Sequence, residues 1–217
     1  MIFFRRDGYV VAPQDTPSIL RPISIIMTFR RFLWLALAPI ALVACKDTNQ
    51  ISANTAVAPD TLVAYAMSGT PTSYPSALNT VGRTSVRMDG TANFDVGFDL
   101  DPSGNVIVYP VRLLVSPLVG ARQVGLLTTT TPYDSLTRAP NGYYRPDTAV
   151  TVSIGQTLVI LSNRNSAGDL CVYFASPRVY AKMVVDSVNL LTRSIHFRHT
   201  VDPNCGYRSF LSGFPTS

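Results

Sequence analysis

Polar and apolar residues alternate along much of this chain, most clearly in three stretches. From Arg83 onward, Thr84, Val86 and Met88 share one side of an extended backbone, and Arg83, Ser85, Arg87 and Asp89 the other. Residues 93–101 alternate again: Phe94, Val96, Phe98 and Leu100 form an apolar face, while Asn93, Asp95, Gly97, Asp99 and Asp101 form a wet one. Successive strand side chains point to opposite faces, so each stretch reads as a half-buried strand. A three-residue loop, Asp89-Gly90-Thr91, sets Val86 against Phe94, whereas a two-residue loop would mix the faces. The pattern therefore predicts a hairpin with the longer loop. In that register Arg83 and Arg87 lie diagonal to Asp95 and answer its charge.

Asp101-Pro102-Ser103-Gly104 fills a type I turn position by position. Pairing Asp101 with Gly104 sets Phe98 against Ile107, Val96 against Tyr109 and Phe94 against Val111, with Pro110 kept to an edge or bulge. The third stretch is a long final hairpin. Val179, Ala181, Met183 and Val185 face inward on one strand, and Ile195, Phe197, His199 and Val201 on the other. Lys182, Asp186, Arg198 and Asp202 point outward. Further strands are expected at Leu62–Ala66, Val124–Thr131, Ala149–Ile154, Thr157–Leu161 and Cys171–Ala175, with loops at 68–80, 132–147 and 163–169. About nine short strands without helical stripes between them predict an all-β protein. The architecture expected is an antiparallel β-sandwich, broadly immunoglobulin-like, with a β-barrel as the alternative.

Composition agrees with strands. All 13 acidic residues are Asp, and Gly, Pro, Ser, Thr, Val and Tyr are abundant. The whole chain carries a net charge of +5, but five of its arginines and two of its aspartates fall before residue 45, leaving 13 basic against 11 acidic side chains. No arginine run with interleaved aromatics remains, which argues against nucleic acid as a partner. Cys171 and Cys205 are predicted to form a disulfide, closing a loop worth roughly 4 kcal/mol on the chain-entropy model.

The N-terminal region reads as an address rather than a fold. Arg30 and Arg31 precede a run of 13 apolar residues, Phe32 to Ala44. That is short of the roughly 20 that span a bilayer and suits a signal-peptide core. The run ends on Leu42-Val43-Ala44-Cys45, which resembles the lipobox of bacterial lipoproteins. The resemblance covers residues 27–45 and implies cleavage before Cys45, acylation of that cysteine and attachment to a membrane. It places the protein in the cell envelope, on the outer membrane where there are two. Residues 1–26 are read as a misassigned upstream start or an extended leader, 27–44 as the signal peptide, 45–60 as lipidated Cys and flexible tether, and 61–217 as one β domain.

Chemistry is sparse. His196 and His199 lie three apart, but strand alternation puts them on opposite faces, so they cannot share a metal ion. His199 is expected as a hydrogen-bonded, partly buried structural residue. The stretch Asp99 to Asn105 mimics the start of a calcium loop, yet the twelfth position falls on Pro110, so a plain hairpin turn and a solvated stripe of Asp95, Asp99 and Asp101 are expected. No GxSxG, HExxH, SxxK or P-loop pattern occurs. The sequence names no catalytic residue, metal or cofactor. A loop at 132–147 gathers Tyr133, Arg138, Asn141, Tyr143, Tyr144 and Arg145, aromatic faces with guanidinium and amide groups that suit a saccharide or an envelope protein as partner. Against this stands packing: Tyr143 and Tyr144 would simply pin the loop to the core. The function expected is a non-catalytic binding or structural module, with a secreted hydrolase of unrecognised site as the alternative.

Overall fold

The computed structural model describes residues 53–88, 93–115, 122–166 and 168–215. Cys45, the leader and the Asp89-Gly90-Thr91 loop lie outside the described residues. Within them run eleven strands: β1 (Ala58–Tyr65), β2 (Ala77–Asn79), β3 (Thr84–Val86), β4 (Val96–Leu100), β5 (Val106–Pro110), β6 (Val124–Thr129), β7 (Arg145–Pro146), β8 (Val150–Val152), β9 (Thr157–Asn163), β10 (Arg178–Asn189) and β11 (Ser194–Asp202). All pairings are antiparallel. They build one sheet in the order β1-β11-β10-β9-β6-β7 and a second in the order β3-β2-β4-β5-β8, both open, so the protein is a sandwich and not a barrel.

Between the sheets lies one apolar core. Phe98 of β4 meets Phe197 of β11 at 5.2 Å between ring centroids, joining the two layers. Burying each such ring contributes about 2–3 kcal/mol. The final hairpin is as the alternation predicts, with all eight inward positions, His199 among them, at or below 1 % exposure. A bulge at Asp186 shifts the register between Val185 and Ser187 and turns Asp186 toward Arg198.

Local pairing departs from expectation in several places. β3 does not pair with β4, because β2 lies between them: Ala77 faces both Val86 and Gly97. β2 hides inside the predicted 68–80 loop, being three residues long and too short to show a period. Arg83 is therefore not diagonal to Asp95, and its guanidinium bonds Asp60 on β1. The Asp101–Gly104 turn forms, with Gly104 N–H donating to Asp101 O at 3.0 Å. Gly104, however, adopts φ +84°, the left-handed residue that adds a bulge after a type I turn. The register moves by one, setting Phe98 against Val108 and Leu100 against Val106. Val106 and Val108 thus enter the core, and Ile107 and Tyr109 turn away from it.

Two segment boundaries also change. The stretch expected as a tether, 45–60, belongs to the fold at its end, since Val57 is buried and bridged to Gly213, and β1 begins at Ala58. Asn204 Oδ1 accepts the Asn54 and Thr55 N–H groups at 2.9 and 3.1 Å, so side-chain bonds hold a stretch whose composition alone could not fold. Cys171–Ala175 is a series of turns and not a strand, with Phe174 N–H bonded to Cys171 O. The Cys171–Cys205 disulfide is formed and ties these turns to the segment after β11.

Candidate functional site

The outer face of the six-stranded sheet is where polar residues gather, and it is not solvated as its pattern suggests. Lys182 and Asp202, expected to point into water, are 5 % and 0 % exposed. Residues 132–146 cross this face as a strap, and residues 203–211 run beside it. Ala139 N–H donates to Arg208 O at 2.8 Å and Phe210 N–H to Thr137 O at 2.8 Å. Beneath them a second small core forms from Leu136, Ala139, Val159, Tyr180 and Phe210. Lys182 Nζ donates to Tyr133 O at 2.7 Å and Leu136 O at 2.9 Å and lies 4.3 Å from the Tyr133 ring centre, which satisfies the buried ammonium. Burial lowers the Lys182 pKa, and burial raises that of Asp202 despite the N–H groups of Asn204 and Ser209.

The six strap residues singled out in the sequence have different fates. Tyr133 is buried, its hydroxyl 2.6 Å from Thr200 Oγ1. Arg138 is exposed and bridges by its backbone to Ser209. Asn141 accepts a bond from Arg208. Tyr143 is 76 % exposed, and Arg145 is exposed on β7. Tyr144 packs edge-on against Tyr180 at 6.0 Å and donates to Pro140 O at 3.0 Å. Burial, with Tyr180 beside it, pushes the Tyr144 hydroxyl up to about 12. Packing thus explains Tyr133 and Tyr144, while Tyr143 pins nothing.

Where the strap ends, a cleft of about 120 Å³ opens, lined by Gln123, Gly125, Tyr144, Pro146, Leu161, Asn163 and Arg178. Tyr144 is the one residue of the six that the structure brings to it. Gly125 lets Tyr144 lie close against β6: a Cβ there would stand 2.8 Å from Tyr144 Cβ. Asn163 and Arg178 are direct cross-strand partners on β9 and β10. The Asn163 Oδ1 atom is buried and has no hydrogen-bond partner, whereas Arg178 is exposed and makes no ion pair with a described acid. Gln123, Asn163 and Arg178 were not legible as site residues, since each stands at a strand end with nothing in its local sequence to set it apart from its neighbours. Only the β9–β10 register and the β6 alignment bring them together.

Other polar groups are engaged internally. Asp95 sits at a bend just before β4, which breaks the alternation and turns its carboxylate between the sheets. It is fully buried and receives Ser162 Oγ at 2.6 Å, Thr80 N–H at 2.8 Å and Arg164 Nη2 at 2.7 Å, with Arg122 at 3.6 Å. Burial alone would raise its pKa, but Arg164 and Arg122, helped by Ser162 and Thr80, hold it below the usual carboxylate range. The expected wet stripe is thereby corrected. Asp99 bonds Ser68 and Arg193, and Asp101 caps its own turn through Ser103 and Asn105. Gly97, also on that face, is covered by Leu114 and Met67.

His196 is exposed and His199 fully buried, on opposite faces as the alternation requires. His199 differs from expectation in that neither ring nitrogen has a hydrogen-bond partner. Burial lowers its pKa to about 4, against the opposing pull of Asp60. Compared with protein-family models, with curated proteins and with solved structures, the chain gives no match.

Proposed function

We propose that this protein is a cell-envelope lipoprotein, anchored through Cys45, whose β-sandwich serves as a non-catalytic binding module with its ligand seated at the end of the strap. The cleft carries this reading: it is the place on the described surface where an exposed guanidinium and a buried, unpartnered amide oxygen meet an apolar wall. Pockets that recognise small ligands combine these elements, an apolar lining with few well-placed polar groups. Export is supported by the Cys171–Cys205 bridge, a bond that persists in oxidising compartments. The arrangement of the acids supports binding over hydrolysis, since Asp95, Asp99, Asp101 and Asp202 all spend their oxygens on internal partners. Labelled palmitate supplied to cells making the full chain should enter the protein, and Cys45→Ser should abolish the label while leaving the domain folded and oxidised. Label persisting in the variant would refute the anchor.

A further inference from the structure

We propose that the cleft beside Tyr144 takes a single sugar ring carrying an anionic group, a carboxylate or a phosphate. The inference rests on the binding-module reading and names the class of ligand.

Three features converge on it. The first is the orphaned Asn163 Oδ1. A buried acceptor without a partner is uncommon and calls for a donor, which a ring hydroxyl supplies once the half-buried Asn163 side chain turns its oxygen into the cleft. The second is Arg178, cross-strand neighbour of Asn163, exposed and without an acid to pair with among the described residues. A guanidinium in that state presents a planar fork that matches the two oxygens of a carboxylate or phosphate. Nearby acids do not compete. Asp147 is engaged by Arg112 at 3.4 Å and by the Val124 N–H at 3.3 Å, and Asp202 by Asn204 at 2.8 Å and the Ser209 N–H at 3.2 Å. The third feature is the wall of Tyr144, Pro146 and Leu161, which gives the apolar face of a ring a surface to lie on.

Size and edge geometry decide between a sugar and a peptide. At about 120 Å³ the cleft is well below the few hundred Å³ typical of drug-sized ligands, so it holds one ring. An extended peptide would instead add itself to an open strand edge. The β6 edge beside the cleft is already taken by β7, with Gly125 paired to Pro146 and Leu126 to Arg145. A carboxylate ring and a phosphorylated ring present the same chemistry to these groups, and the experiment separates them.

The full chain, purified in detergent, is titrated by calorimetry with galacturonic acid, galactose 1-phosphate and galactose. At least one acidic sugar is expected to bind about tenfold or more tightly than galactose, and the tighter of the two identifies the anionic group. Arg178→Gln should remove that discrimination while leaving the weak galactose signal, and Arg138→Gln, on the strap outside the cleft, should change nothing. Asn163→Leu should weaken all three sugars. Arg178 is exposed, so its substitution keeps the test valid even if the Asn163 variant does not fold. Equal binding of acidic and neutral sugars, or discrimination that survives Arg178→Gln, overturns the inference. The tripeptide Ala-Asp-Ala serves as the outgroup. Binding of it that Arg178→Gln removes, with no sugar bound, overturns the sugar assignment and leaves the binding module standing. No binding of either class overturns both.

Discussion

Gly125 and Tyr144 meet across the β6–β7 edge so closely that a Cβ on Gly125 would stand 2.8 Å from the Tyr144 Cβ. The neighbour is a side-chain root and not a flexible end, so it cannot swing aside. Gly125→Ala should therefore push the strap off the sheet, costing about 1–3 kcal/mol in urea unfolding. Since Tyr144 walls the cleft, the same substitution should weaken ligand binding. An unchanged unfolding midpoint would show that the strap slides freely over β6.

Asp95 and Arg164 test a different part of the molecule. Both are buried, at 0 % and 5 % exposure, and removing Asp95 leaves the Arg164 guanidinium only the more distant Asp169, at 3.9 Å, and strips Arg122 of its contact at 3.6 Å. Asp95→Asn should destabilise by about 3–5 kcal/mol. The pH dependence has a definite sign. A carboxyl whose folded pKa lies below 3.8 stabilises above that value and loses its contribution as the pH falls through the folded pKa. Acid unfolding below pH 3.8 should thus be shallower in Asp95→Asn than in the parent. Equally steep acid limbs would exclude Asp95 as their source.

The Cys171–Cys205 bridge closes a span of 34 residues, from the turns after β9 to the segment after β11. Since Cys171→Ser frees that loop in the unfolded chain, it should lower stability by about 3–4 kcal/mol and leave Cys205 open to alkylation. A loss below about 1 kcal/mol would mean that the β9–β10 and β10–β11 ladders alone fix these ends.

Which parts of this structure could be read from the sequence follows from which faces the chain itself defines. The 179–185 and 195–201 alternation was readable because one face of that hairpin is buried by the opposite sheet. The turn at 101–104 was readable as chemistry, but its register was not, since the positive φ of Gly104 adds a residue that no pattern announces. Asp95, Lys182 and Asp202 were misread as solvated. Their burial depends on partners from distant segments: Arg164 for Asp95, the Tyr133 and Leu136 carbonyls for Lys182, Asn204 for Asp202. For the site, clustered Tyr and Arg pointed to the strap, and Tyr144 belongs to the cleft. Asn163 and Arg178 could not be found that way, because only strand pairing makes them neighbours.

His199 offers the clearest solution test. Its imidazole is fully buried with both nitrogens unpartnered, and its pKa falls from 6.5 to about 4. Between those values the unfolded chain binds a proton that the folded chain refuses, so stability rises with pH across the window and falls as the pH drops through it. At about 1.4 kcal/mol per unit the loss from pH 7 to pH 4 amounts to about 3 kcal/mol, after which this contribution levels off. The window lies above that of Asp95, so the two are separable in one titration. His199→Leu should flatten the upper window. It should also cost little at pH 7, because removing two buried nitrogens that bond nothing relieves an unmet desolvation cost, and the leucine keeps an apolar side chain opposite Met183. Guanidinium unfolding at pH 7, 5.5 and 4 checks this directly. A slope between pH 7 and 4 that survives in His199→Leu would assign the effect to another group and leave His199 a silent core residue.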